Sequence, residues 1–148
     1  AESFVGSDDC VVILGDNIIT DDISQSVSHF SDVGGCHIFT KEVDDPERFG
    51  VLDYGETGWG GIEDIVEKPV DPPSNDAVIG LYMYDNTVFD KIRSLDPSER
   101  GELEVTDLNR MYLAEENLTA HRVQGTWIDC GTFDSLAKAT QKFYHDKN

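Results

Sequence analysis

The sequence predicts an α/β domain, a mixed and mostly parallel sheet flanked by helices, and three observations predict it. Short apolar runs alternate with stretches of helical period along the whole chain. Two of those runs end beside a glycine and an acid, Gly15-Asp16 and Asp129-Cys130-Gly131, as chains do beyond the carboxyl ends of sheet strands. A Gly-rich segment over 50–67 reads as a hairpin, which makes the sheet mixed.

The elements follow in order. Residues 11–14, all apolar, read as a buried strand. "DDISQSVSHFSD" from Asp21 opens with acids and sets Ile23, Val27 and Phe30 on one helical face. "GCHIFTKEV" over 35–43 is a second apolar strand, and "DDPERF" a helical turn with Pro46 near its start. Two strands flank the turn of the hairpin, and "AVIGLYMYD" over 77–85 is a strand whose Gly80 permits close backbone approach. "NTVFDKIRSL" is helical. "EVTDLNRMYLAEEN" places Val105, Leu108 and Tyr112 at helical spacing, with Thr106 or Asp107 as its cap. "LTAHRVQ" and "TWIDC" are short strands, and "TFDSLAKATQKFYHD" is the last helix. No repeat or linker interrupts the pattern, so residues 1–148 read as one domain, long enough for a real core.

The charge is extreme, with 30 acidic against 11 basic residues and a net charge of −19. A field of that sign disfavours nucleic acid and anionic membranes. The acids are spread through periodic segments, which opposes a disordered acidic tail and suits a surface adapted to high salt. No apolar run approaches the roughly 20 residues of a membrane span. The start lacks the basic and apolar regions of a signal peptide, and it also lacks a Met. Three cysteines without CxxC spacing, Cys10, Cys36 and Cys130, oppose a disulfide framework and a zinc site and suit a reducing cytoplasm. The four histidines have no ligand spacing and receive no role.

Taken alone, Asp16 caps a turn as readily as it serves a function, and so does Asp129. Together, two strand-end acids far apart in sequence can converge on one divalent cation. Mg2+ suits them, because it takes one or two carboxylates and completes its shell with waters and phosphate oxygens. Glu67 and Lys68, adjacent at a strand end, point to opposite sides by strand alternation. They are either a surface pair or a sugar-hydroxyl acceptor beside a phosphate-neutralising ammonium. Arg100, in a loop of a cation-poor chain, offers a bidentate phosphate contact, and Glu102 can orient it or reach a sugar hydroxyl. Gly50, after Phe49, leaves room for backbone groups to meet a ligand. Trp127 reads more as core than as a ligand platform.

In order, "ILGDN", "FGV", "EKP", "SNDAVIGLYMYD", "RGELEVTDLNRMYL" and "WIDCGTFDSL" resemble the sugar-1-phosphate nucleotidylyltransferase family, closest to its glucose-1-phosphate thymidylyltransferase branch. The resemblance covers nearly the whole chain. It implies a nucleotide-diphospho-sugar-transferase-like, Rossmann-like domain. It also implies Mg2+ on Asp16 and Asp129, sugar and phosphate on Glu67 and Lys68, the hexose against Gly50 and Val78, and phosphate by Arg100. The family's Gly-rich loop for the nucleoside triphosphate, "G-G-x-G-T-R-L", has no counterpart in this sequence, nor does the helical tail of many relatives. The expectation is therefore an incomplete domain, the sugar-phosphate and metal portion of an enzyme joining glucose-1-phosphate to dTTP. On its own it would be nearly inactive and would self-associate through uncovered sheet edge. A non-catalytic sugar-phosphate-binding module, an inactive remnant and a phosphoacceptor receiver are the alternatives. The last is disfavoured because "GDN" offers one acid and no matching lysine follows.

Overall fold

A computed structural model describes residues 1–56, 61–98 and 101–145. The elements run α1 (Glu2–Val5), β1 (Cys10–Ile13), β2 (Asn17–Ile19), α2 (Ser24–Val33), β3 (Cys36–Glu42), β4 (Gly50–Asp53), β5 (Asp64–Glu67), β6 (Asp76–Tyr84), α3 (Val88–Ser94), α4 (Val105–Ala114), β7 (Leu118–Arg122), β8 (Trp127–Asp129) and α5 (Phe133–His145). A 3-10 turn at Pro46–Arg48 precedes β4.

The sheet is mixed, in the order β5-β4-β6-β3-β7 with β1 also on β6, and β2 and β8 form a separate ladder. Its proportions differ from the expectation. Among the described residues only β3 and β7 pair in parallel, whereas β6 is antiparallel to β1, β3 and β4. The cause lies in one insertion. β1 and β3, joined through α2, run in the same direction, as strand–helix–strand units do. β6 enters between them the opposite way and turns one parallel pairing into two antiparallel ones.

β6 divides the core. Tyr82 and Tyr84 join Ile38, Leu52, Ile65, Leu108 and Tyr112 on the face beneath α3 and α4. Ile79, Leu81 and Met83, alternating with them, join Phe39, Val123 and Phe30 of α2 on the other. Each fully buried aliphatic side chain of this kind contributes about 2 kcal/mol of transfer free energy. α4 meets the core through Leu108 and Tyr112, as its spacing predicts, but Val105 is exposed and Thr106 takes the inward place. On α2, Phe30 is buried while Val27 stays at the surface.

The strand over 11–14 is the clearest departure. β1 is paired on one side by β6, yet Val11 and Ile13 are 54% and 58% exposed. An apolar run reports a surface that favours burial; it does not say what covers it. Among the described residues no helix is long and apolar enough to cross a membrane. The three cysteines are free thiols, and burial pushes the Cys36 thiol far up.

Candidate active site

A cleft of about 310 Å³ opens over the β6 face that carries Val78, Gly80 and Tyr82. One wall is the end of the β4–β5 hairpin and the start of α4; the other is the β2–β8 ladder. That ladder, absent from the sequence reading on the β2 side, pairs Asn17 with Asp129 directly. It is what brings two acids together that lie 113 positions apart by their numbers.

The acid end is held by backbone. Cys130 N–H donates to the Asp16 carbonyl at 2.7 Å, and Gly131 N–H donates to Asp129 Oδ1 at 3.0 Å. A methyl group placed on Gly131 would sit 3.1 Å from Asp129 Oδ1 and 3.5 Å from Asp16 Oδ2, so both carboxylates crowd around one Cα. Asn17 fixes the arrangement. Its Nδ2 donates to Asp16 Oδ1 at 2.8 Å, while its Oδ1 accepts from Gly80 N–H at 3.0 Å and from the Trp127 indole at 2.7 Å. Gly80 is required there, because an added Cβ would lie 2.6 Å from Asn17 Nδ2. Arg48 Nη2 stands 3.8 Å from Asp129 Oδ2 and offsets part of the acid charge. Two carboxylates with hard oxygen donors around one point form a donor set that fits Mg2+ and would suit a softer ion less.

The opposite end is built on Glu67. Thr106 Oγ1 donates to Glu67 Oε2 at 2.5 Å, and a Cβ on Gly50 would come within 2.9 Å of Thr106 Oγ1 and 3.2 Å of Glu67 Oε2. Gly50 therefore leaves room for the Thr106–Glu67 contact. Lys68 Nζ lies 3.5 Å from Glu67 Oε1 and faces the same cleft. The expected opposite orientation fails because Lys68 leaves the strand with φ of +43°, which breaks the alternation. That conformation is rare for a lysine, and it places Lys68 on the lining of the cleft. Beneath them, burial and then the charge of Glu67 push Tyr82 up to about 12, so its hydroxyl keeps its proton at the cleft floor.

Asp16, Gly50, Glu67, Lys68, Val78, Trp127 and Asp129 thus line one cleft. Glu102 does not line it; its carbonyl accepts from Ser98 N–H. Arg100 lies outside the described residues. Trp127 is half-buried, its ring 5.4 Å from that of Phe49, with its indole nitrogen serving Asn17. Among the cleft residues that sequence reasoning does not single out, three polar side chains touch the predicted ones. Asn17 is the last residue of "GDN", Arg48 stands beside "FG", and Thr106 lies where the sequence predicts a helix cap. The cap position of α4 falls to Glu104, which leaves the Thr106 hydroxyl for Glu67.

The pattern of the nucleotidyl transferase family matches residues 1–146. The chain belongs to that family. Among its relatives, the low-salt glycan biosynthesis nucleotidyltransferase Agl11 of Haloferax volcanii is 39% identical over 150 residues, covering 100% of this chain and 42% of that protein. The glucose-1-phosphate thymidylyltransferase of Neisseria meningitidis is 40% identical over 146 residues, covering 93% and 49%. A Bacillus anthracis protein assigned as a glucose-1-phosphate thymidylyltransferase, solved with a sucrose, superimposes with a TM-score of 0.85 at 48% identity over 95% of this chain and 56% of its own. A UDP-glucose pyrophosphorylase in complex with UDP-glucose gives 0.83 at 28% identity. This nucleotidyl transferase chain spans about half the length of the relatives it matches.

Proposed function

We propose that the chain supplies the sugar-phosphate and metal subsite of a glucose-1-phosphate thymidylyltransferase. The observation that carries this is the convergence of Asp16 and Asp129 around Gly131, at one end of a cleft whose other end holds Glu67 and Lys68. In the whole enzyme a phosphate oxygen of glucose-1-phosphate would attack the α-phosphorus of dTTP. The α–β phosphoanhydride bond would break, and pyrophosphate would leave. Mg2+ held by the two acids would neutralise phosphate charge that carboxylates alone repel.

The chain's own residues position the sugar phosphate. Glu67, with one oxygen held by Thr106, presents the other to a hexose hydroxyl. The Lys68 ammonium faces the phosphate as a point charge. Val78 and Gly50 leave a shallow apolar wall against which a pyranose ring can lie. Such positioning, with charge neutralisation, is most of what phosphoryl transfer asks of a protein. The uncovered edge of β1 is proposed as a self-association surface, in keeping with exposed Val11, Ile13 and Leu14.

Calorimetric titration with glucose-1-phosphate, with and without Mg2+, tests the reading. Binding is expected to strengthen about tenfold with Mg2+ and to lose that gain in Asp129→Asn. Binding without turnover of dTTP assigns the chain a binding role only; absence of binding in either condition removes the proposal.

A further inference from the structure

On the face of the sheet opposite the cleft, the fold assembles three histidines that the sequence leaves scattered. In the parallel β3–β7 ladder, His37 pairs with Thr119 and Phe39 with His121. His37 and His121 are thus diagonal neighbours on one face. His29 reaches the same place from α2, its ring centroid 5.1 Å from that of His37 and 6.0 Å from that of His121. One nitrogen from each ring lies within 4.8 Å of the others.

The cluster is poorly explained as packing. His37 is 1% exposed, and its Nε2 makes no well-formed hydrogen bond, although the Gly34 backbone carbonyl lies beside the ring. Its Nδ1 meets Nε2 of His121 at 2.9 Å, so one of those two nitrogens must carry a proton toward the other. An ion held through Nδ1, the nitrogen that faces His121, would leave the ring proton on Nε2, so it is the close approach of three imidazoles that points to a ligand. Phe30 and Phe39 close the site from below, each 5.2 Å from a histidine ring, while His29 stands at the solvent side and leaves a path in.

We propose that His29, His37 and His121 form a three-imidazole site for a borderline transition-metal ion of the Zn2+ class, separate from the carboxylate cleft. The donor type decides the class, because imidazole nitrogens suit zinc and its neighbours whereas Mg2+ requires oxygen. The geometry is close to what is needed. Zinc–nitrogen bonds of about 2.0–2.1 Å put tetrahedral ligand atoms about 3.4 Å apart. His37 and His121 need to open by about half an ångström to reach that spacing. His29, on the exposed helix surface, needs only a side-chain rotation inward. Three protein ligands leave a fourth position for water. The net charge of −19 favours any cation that approaches. A bound ion would tie α2 to the β3–β7 edge beside the contacts that His29 and Phe30 already make there.

Zn2+ added to the metal-free chain in Mg2+-free buffer tests this, read by long-range proton–nitrogen NMR of the imidazole rings and by thermal unfolding. The expected result is a joint shift of the His29, His37 and His121 ring signals, complete at one equivalent. The unfolding midpoint should rise by about 5–10 °C at a hundredfold excess over Kd. His29→Ala, at an exposed position, and His121→Gln should each weaken binding at least tenfold. Ring signals that stay in place overturn the proposal. Binding that survives both substitutions and disappears in Asp129→Asn also overturns it, by placing the ion in the cleft.

Discussion

Replacing Asn17 with alanine should damage both stability and the cleft, by amounts that can be separated. The substitution removes the acceptor for Gly80 N–H at 3.0 Å and for the Trp127 indole at 2.7 Å, and the donor to Asp16 Oδ1 at 2.8 Å. Gly80 is buried, so its amide loses a partner that water replaces poorly, at about 1–3 kcal/mol. The half-buried indole recovers part of its loss through hydration, which brings the expected total to about 2–3 kcal/mol. In urea that lowers the midpoint by about 1 M, for an m-value of roughly 2 kcal/mol/M. Asn17→Asp keeps an acceptor for both donors but sets a carboxylate against Asp16. Its stability should fall by less than half as much, while the Mg2+-dependent gain in glucose-1-phosphate affinity should change as strongly as in Asn17→Ala. Equilibrium unfolding followed by tryptophan fluorescence and calorimetry read the two quantities independently. If Asn17→Ala loses under 0.5 kcal/mol and binds as before, the three bonds do not organise the acid end, and the account of Asn17 is wrong.

Three other outcomes are expected. Gly131→Ala should leave the unfolding midpoint nearly unchanged but weaken Mg2+-dependent binding about tenfold, since its methyl lies 3.1 Å from Asp129 Oδ1 and 3.5 Å from Asp16 Oδ2; unaltered Mg2+ dependence would separate the ion from these acids. Alkali should unfold the chain cooperatively. Burial, its largest cause, pushes Tyr54 and Tyr82 up to about 12 and Tyr84 and Tyr112 further up. Unfolded tyrosine ionises near 10. The folded state therefore holds more protons above that pH, and its advantage is full below pH 10 and lost as pH rises toward 12. For Tyr82, 8% exposed, the shift is worth about 2–3 kcal/mol. Absorbance at 295 nm should lag behind free tyrosine until circular dichroism reports unfolding; a titration complete by pH 10.5 with the fold intact contradicts this. In sedimentation velocity the chain should self-associate, and Ile13→Lys on the open edge should reduce association. A monodisperse wild-type monomer would count against the β1 surface.

Much of this was readable from local pattern. β3 and β6 announce themselves as apolar runs of strand length, and α4 by Leu108 and Tyr112. Asp16 and Asp129 were legible because one follows a strand beside Gly15 and the other ends a strand two residues before Gly131. What stayed hidden depends on partners distant in sequence. The exposure of β1 depends on what covers it, and β2 is three residues that become a strand only against β8. The joint orientation of Glu67 and Lys68 depends on a single positive φ. The histidine cluster is created by ladder register and by α2, so no spacing rule along the chain could reveal it.

β6 serves two masters within nine residues: Val78, Gly80 and Tyr82 form the cleft floor, and Ile79, Leu81 and Met83 fill the core behind it. Its two functions are interleaved with a period of two. Removing or inserting one residue in mid-strand would turn the leucine and methionine outward into the cleft and drive the floor residues into the core beneath α2. Evolution can therefore respell this strand letter by letter, but it cannot lengthen or shorten it by one. A single-residue deletion scan across the chain should find its most intolerant stretch between residues 78 and 83, more intolerant than either carboxylate loop.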